Sequence, residues 1–438
     1  MRRKIILGAI NEQIQNIAQK KDTLCRRMYN WSTNKQHTHS NKGVSVANSI
    51  HHSKHIYNYL KALNLGLFLS DVYLNHLLTI ILSVFLRGYR GKTVDFQEVS
   101  HCHRTTTAYF LNHGKWKDDA LQDVLKSSIL QAIYREAQRS GQPIYCIVDD
   151  TIASHTRPSS QAVHPIEAAY FHQSHLKGCQ DYGHQVVSVM LSCNGITLNY
   201  AVILYDKSRS KIQIVQEIAE ELPAAPVISY FLCDSWYTTA KVMDRFIRKG
   251  FYTVGALKTN RILYPCGIRQ KASAFALHLR KTDPDVSLVT VGSREFYVYR
   301  YEGELNGIPN AAVILSYPKD GFGNPKALRV FLSTNAELST QEILDTYTKR
   351  WPIELFFRQS KSKLALDSYQ IRSRQGIQRY WLIMSLVHYL CCMHSGNYCT
   401  FEEGYASLKQ QLKQEQFANL YRLIKSSASF EEAFKFVG

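Results

Sequence analysis

The stretch Ile144-Tyr145-Cys146-Ile147-Val148-Asp149-Asp150 decides how this chain folds. It follows Gly141-Gln142-Pro143, a segment that ends any preceding helix. An apolar run this short, closed by charge, reads as a buried strand with carboxylates at its C-terminal end. Val227–Cys233 repeats the arrangement and stops at Asp234. Sites in open α/β sheets gather at such strand ends. Asp149 and Asp150 are neighbours, and on a strand they point to opposite faces. The pattern alone leaves open which of the two joins Asp234.

Between these strands, Gln185–Cys193 and Ile196–Leu204 are apolar runs joined by Asn194-Gly195, a strong hairpin signal. Lys211–Glu221 has the spacing of an amphipathic helix, Ala240–Lys249 resembles another, and Phe251–Leu257 reads as a strand. Strand, hairpin, helix, strand, helix, strand is a mixed α/β order. Further on, Val286–Val291, Glu295–Tyr301, Ala311–Leu315 and Ala327–Leu332 read as strands. They are set off by Asp283-Pro284, Asn306-Gly307 and Asp320-Gly321. Helix returns at Thr340–Leu364 and Gln375–Met393, and in the tail, where Ser429 and Glu432 are spaced as a capping box. Residues 1–140 have helical spacing. Within them, Val94–Val99 and Thr105–Leu111 flank a polar break and resemble a helix-turn-helix, a pattern shared with ordinary helical hairpins. Arg104, Thr105, Thr106 and Thr107 would open its second helix. Four regions result: a helical N-terminal part (1–140), an α/β part (141–261 and 334–395), a β-rich insertion (262–333) and a helical tail (396–438).

The composition fits a folded protein: 45% hydrophobic and 20% charged residues in 438. The net charge is +18, from 53 Lys+Arg against 35 Asp+Glu, and a surface this basic favours nucleic acid as partner. Ten cysteines are scattered without a CxxC pair. His101-Cys102-His103 lacks a second ligand pair at zinc-finger spacing, so free thiols in a reducing cytoplasm are expected. The basic start Met1-Arg2-Arg3-Lys4 and the run Ile5 to Ile10 are too short for a signal peptide. Leu77–Leu86 and Trp381–Met393 fall short of the roughly 18 residues that a membrane span needs.

The richest segment is Tyr347-Thr-Lys-Arg350-Trp-Pro-Ile-Glu354-Leu-Phe-Phe-Arg-Gln-Ser-Lys361. On one continuous helix, Tyr347, Arg350, Glu354 and Lys361 fall within a sector of about 60°. Ile353, Phe356, Phe357 and Leu364 supply a packing face. Pro352 sits best at the start of a helix that restarts there, which makes the alignment approximate. The bland alternative is a solvated face with Arg350 and Glu354 as an i,i+4 ion pair.

This segment, with "VDDT" at Val148–Thr151 and "CDSWY" at Cys233–Tyr237, resembles the DDE transposases of bacterial insertion sequences, in the subgroup with a YREK signature. Tyr347, Arg350, Glu354 and Lys361 match that signature at every spacing. The resemblance covers about residues 143–395. It implies an RNase H-like mixed sheet flanked by helices, interrupted by the β-rich insertion and preceded by a helical DNA-binding domain. It also implies that Asp150, the acid directly before the Thr, acts with Asp234 and Glu354 to hold two divalent ions, Mg²⁺ or Mn²⁺. The reaction implied is cleavage at element ends followed by strand transfer into target DNA. Tyr347, Arg350 and Lys361 would grip phosphates. Lys258 and Arg261, just after the last core strand, are further DNA-binding candidates beside Arg104 and Thr106. The partners expected are terminal inverted repeats and target DNA, bound by a homodimer on paired ends in the bacterial cytoplasm, at the nucleoid and away from membranes. Some relatives stack a flipped base on a Trp of the insertion. The five tryptophans here are Trp31, Trp116, Trp236, Trp351 and Trp381, none of them in 262–333, so Phe296, Tyr297, Tyr299 or Tyr301 would substitute. Two rivals remain: an RNase H-like nuclease without strand transfer, and a DNA-binding relic without catalysis.

Overall fold

The computed structural model describes residues 53–431, apart from 87, 89–91, 93, 98, 101, 163–164, 175–176, 306 and 427–428. The expectations for Met1 to Ile10, Trp31, His101, Asn306 and Glu432 lie outside the described residues. Those described belong to one compact unit, Ile50–Gly438.

Among the described residues five α-helices come first: α1 (Lys54–Ala62), α2 (Asp71–Leu86), α3 (Val94–Gln97), α4 (Arg104–Asn112) and α5 (Asp118–Ser140). Gly141, with φ of 68°, closes α5 in the left-handed region that glycine enters freely. The chain then enters β1 (Tyr145–Ser154), β2 (Tyr170–Ser174), β3 (Cys179–Cys193) and β4 (Ile196–Tyr205). Asn194 and Gly195 turn β3 into β4 with φ of 46° and 84°, as a two-residue hairpin requires. Next come α6 (Lys211–Glu221), β5 (Ser229–Cys233), α7 (Ala240–Arg248) and β6 (Phe251–Leu257).

β1 runs antiparallel to β3 and parallel to β5, and β5 runs parallel to β6. All five residues of β5 are buried, as expected of a strand covered on both faces. Phe231 of β5 stacks on Phe246 of α7 at 3.8 Å between ring centroids. β3 approaches β1 so closely that a Cβ at Gly183 would lie 2.0 Å from the Ala153 carbonyl oxygen. Gly183 pairs with both Ser154 and Tyr170, so β2 continues the edge that β4 occupies.

The two-residue strands β7 (Ile262–Leu263) and β8 (Gln270–Lys271) and the short helix α8 (Ala272–Ala276) lead into β9 (Val286–Val291), β10 (Arg294–Leu305), β11 (Ile308–Pro318) and β12 (Arg329–Ser333). These last four form no separate sheet. β12 pairs antiparallel with β6, and β11, β10 and β9 follow outward, giving one ten-stranded sheet. Alternation along β11 serves two cores. Ala312 and Ile314 join the main one, and Ala311, Val313, Leu315 and Tyr317 join a second one with Leu257, Leu263 and Ala276.

Four further helices follow among the described residues: α9 (Thr340–Thr348), α10 (Pro352–Lys363), α11 (Arg374–Met393) and α12 (Phe401–Lys425). Helices flank the mixed sheet, which is the RNase H-like arrangement. α11 is nearly all buried and carries Arg379, whose side chain is 3% exposed. Its guanidinium donates to the carbonyls of Phe110, Leu111, Gly114 and Trp116, pairs with Asp118 and lies over the Trp116 ring. One side chain thus satisfies the carbonyls that α4 leaves open at its end. No described helix is long and apolar enough to cross a membrane.

Candidate active site

The parallel register pairs Val148 with Cys233, where β5 ends beside the middle of β1; β1 does not stop at its acids, as its apolar run suggests, but runs on through them to Ser154 because β3 keeps pairing with it. Asp149 and Asp234 each follow by one residue. Asp149 and Asp150 part to opposite faces, as alternation dictates, and meet different partners. Asp149 Oδ2 accepts from the Arg350 guanidinium at 2.6 Å, and its Oδ1 accepts from the Asp150 N–H at 2.8 Å. Asp150 takes the Lys211 ammonium at 3.0 and 3.1 Å on its two oxygens. The Tyr237 hydroxyl and the Gln185 amide also donate to it. Asp234 Oδ1 accepts from the Trp236 N–H at 2.9 Å, a local turn that fixes the carboxylate at the strand end.

The 340–364 segment is not one helix. Pro352 has no N–H to continue α9, so the chain turns through 349–351 with i→i+3 bonds and restarts with Pro352 as the first residue of α10. The single-stripe alignment of the four signature residues therefore gives way to a junction. Tyr347 lies in the last turn of α9, Arg350 in the turn that follows, Glu354 in the first turn of α10, and Lys361 two turns on. Three of them still meet. The Arg350 guanidinium contacts Glu354 Oε1, bonds Asp149, and lies 5.8 Å from the centre of the Tyr347 ring. The i,i+4 ion pair is present, but the same fork extends to β1. Lys361 stands apart from these three, donating to Thr151 Oγ1 and the Ile152 carbonyl of β1 at 3.0 and 3.1 Å. Ile353, Phe356, Phe357 and Leu364 are all buried on the packing face.

Electrostatics tie the acids together. Burial pushes the Asp149 carboxyl up to about 6, with Asp234 and Asp150 adding to the rise and Arg350 opposing it. Asp234 is likewise raised, by burial first and by Asp150. Buried carboxylates this near one another repel and call for positive charge. Arg350 serves Asp149 and Glu354, and Lys211 serves Asp150. Among the described residues, no three His, Cys, Asp or Glu side chains converge closely enough to chelate one ion as they stand. The donor chemistry nonetheless fits a hard divalent cation: Asp149, Asp150, Asp234 and Glu354 offer carboxylate oxygens alone, and Asp149, Asp150 and Glu354 each already draw a cationic side chain.

The remaining expected residues are spread wider. Lys258 lines an open cleft of about 740 Å³ with Ser235, Asn260, Arg329 and Tyr347, and its ammonium lies 5.0 Å from the Trp236 ring centre. Arg261 bonds the Thr238 carbonyl at 2.6 Å, which ties it to the loop after β5. Arg104, Thr105 and Thr106 are exposed on the first turn of α4, whereas Thr107 is buried and faces the core. Of the four insertion aromatics named above, one is buried and three are half-buried against neighbours. Tyr301 is buried, Tyr299 packs on Phe275, Tyr297 on Phe322, and Phe296 against the main core. His184 is fully buried between the Glu167 carbonyl and the Tyr369 hydroxyl, a structural role.

Sequence reasoning misses Lys211, Gln185 and Tyr237, the three donors to Asp150. Tyr237, three residues past Asp234, carries a faint signal; nothing in the local pattern marks the other two. Trp236, 48% exposed beside Asp234, stands within the same Cys233–Tyr237 segment, but with no role read for it from the sequence.

Residues 140–390 match the family model described as the transposase DDE domain. No curated protein matches the chain significantly. The matched span opens just before β1 and runs through α10 into α11, so it takes in the acids of β1, Asp234 and the Arg350 junction, and it covers more than half of the 438 residues. The chain belongs to the transposase DDE-domain family.

Proposed function

We propose that this transposase cuts DNA at the ends of an insertion sequence and joins the freed ends to target DNA, with Asp150, Asp234 and Glu354 as ligands of two divalent ions, Mg²⁺ or Mn²⁺, and within the YREK subgroup. The observation that carries the reading is the point where β5 ends beside β1: each strand offers an acid there, Asp149 and Asp150 from β1 and Asp234 after β5, and Arg350 joins Asp149 to Glu354 at the helix start.

The ions supply positive charge that neutralises the phosphodiester and favours a deprotonated nucleophile. The side chains do the rest. A water oxygen attacks phosphorus and the bond to the 3′-oxygen breaks, leaving a 3′-hydroxyl. That hydroxyl then attacks a target phosphodiester, and the displaced 3′-oxygen leaves with the proton. Arg350 offers a planar fork to a phosphate, and Lys361 and Lys258 offer point charges. Tyr347 holds the fork from behind. Arg104 and Thr106, on the open turn of α4, contact the element end, with residues 1–140 as the DNA-binding part and 262–333 as an insertion within the catalytic part. Two copies act on paired ends, in the cytoplasm at the nucleoid.

A second reading replaces Asp150 with Asp149. It is favoured by Arg350, which joins Asp149 directly to Glu354, and by the field of Asp234 on Asp149. Separate Asp149→Asn and Asp150→Asn variants decide between them: the ligand's variant loses metal-dependent cleavage by orders of magnitude, and the other retains most of it.

The test of the whole proposal uses DNA carrying the element's own terminal repeats, a target plasmid and Mg²⁺. Joined products support transposition. Cleavage without joining supports a plain nuclease, and DNA binding without cleavage supports a relic.

A further inference from the structure

We propose that Lys211 is a cation built into the site to hold Asp150 while no divalent ion is present, and that ion binding must displace it. The inference rests on reading Asp150 as a metal ligand.

The geometry of Lys211 is that of a competitor rather than a bystander. It is the first residue of α6, and the helix start is fixed by a reciprocal capping box between Ser210 and Gln213. From there the ammonium reaches both oxygens of Asp150, at 3.0 and 3.1 Å. The two side chains are only 13% and 14% exposed, so water screens the pair weakly. The other donors to Asp150, Tyr237 and Gln185, are neutral. Among the described residues, Lys211 therefore supplies the ion pair at this carboxylate. A lysine on the first turn of a helix also sits at the wrong end of the helix dipole, where acids are favoured and α6 has none. The contact with Asp150 compensates for that placement.

Lys211 also has a second acceptor within reach. Its ammonium lies 4.6 Å from the centre of the Trp236 ring, two residues past Asp234 and half open to solvent. A cation over an indole face is stabilised there. A displaced ammonium thus has a place to stay beside the site, next to Lys258, which approaches the same ring.

A carboxylate that binds an ammonium with both oxygens cannot give full strength to an incoming ion. Removing the ammonium makes the carboxylate available. A charge-assisted hydrogen bond is strong enough that its loss should tighten ion binding by about tenfold or more.

The experiment measures Mn²⁺ affinity of the full chain by electron paramagnetic resonance of the free ion, at constant ionic strength, for the wild type, Lys211→Met, Lys211→Arg and Asp150→Asn. The Mn²⁺-induced rise in Tm is a second readout, and circular dichroism checks folding. Met keeps the aliphatic stem and removes the charge. The inference expects Lys211→Met to bind Mn²⁺ about tenfold tighter, Lys211→Arg to bind near wild type, and Asp150→Asn to bind weaker. If Asp150→Asn weakens binding while Lys211→Met leaves it unchanged or weakens it, the competition is overturned and the ligand role of Asp150 stands. If Asp150→Asn has no effect, the ligand role of Asp150 falls, and the role of Lys211 falls with it.

Discussion

Replacing Arg350 with Met removes a group that touches both Asp149 and Glu354, and the structure sets the size of the loss. The guanidinium and the Asp149 side chain are 16% and 20% exposed, so their contact ranks with charge-assisted hydrogen bonds of about 1.5–3 kcal/mol. Glu354 is 38% exposed, and its share is under about 1 kcal/mol. The variant should therefore lose about 2–3 kcal/mol in metal-free buffer. For a folding unit of this size, 1 kcal/mol moves Tm by roughly 1–2 °C, so a fall of about 3–5 °C is expected. Scanning fluorimetry with EDTA measures it. Adding Mg²⁺ should narrow the gap, because divalent charge then balances the carboxylates that Arg350 has left. Equal Tm values in EDTA would refute the energetic role of the fork. A gap that Mg²⁺ leaves untouched would refute the placement of an ion beside these acids.

Gly183→Ala should cost several degrees in Tm or abolish soluble expression, because its Cβ would lie 2.0 Å from the Ala153 carbonyl in the strand that carries the acids; a Tm within a degree of wild type would contradict this. Burial holds the His184 imidazole neutral in the folded chain, its value pulled down to about 4, while the unfolded chain protonates near 6.5. Its contribution is therefore complete above pH 6.5 and lost as the pH falls towards 4, about 3 kcal/mol by linkage. Urea unfolding of wild type and His184→Gln across that range should show a shallower pH slope in the variant. Asp234→Asn should abolish metal-dependent cleavage and leave DNA binding intact, and that binding should weaken steeply between low and moderate salt, given the +18 charge; filter binding and a cleavage gel read both.

The parts of the fold that local chemistry determines are legible in the order of the residues. Apolar runs ending in acid locate β1 and β5, although β1 runs on past its acids to Ser154; Asn194-Gly195 locates the hairpin, and Pro352 marks where the last helical stretch has to restart. The spacing of Tyr347, Arg350, Glu354 and Lys361 is legible too, although a continuous helix is the wrong frame for it. What stays hidden depends on pairing between distant residues. β2 and the first part of β3 are short or polar, as in Gln180-Asp181-Tyr182, and are held by β1 and by each other rather than by their own pattern. Nothing in 286–333 announces that β12 will add to β6, because an edge is offered by the partner strand. Lys211 looks like one more lysine on an amphipathic helix; only packing turns it towards Asp150.

The buried Arg379 has a mechanical consequence. By gripping the carbonyl end of α4 from within α11, it makes the turn that exposes Arg104 and Thr106 an outrigger of the catalytic layer, with no hinge of its own at that joint. A duplex seated on that turn would meet the acids at one set phase of its helical repeat. On the proposed function the chain would then act as a gauge, with the position of the cut counted from the seat rather than searched for.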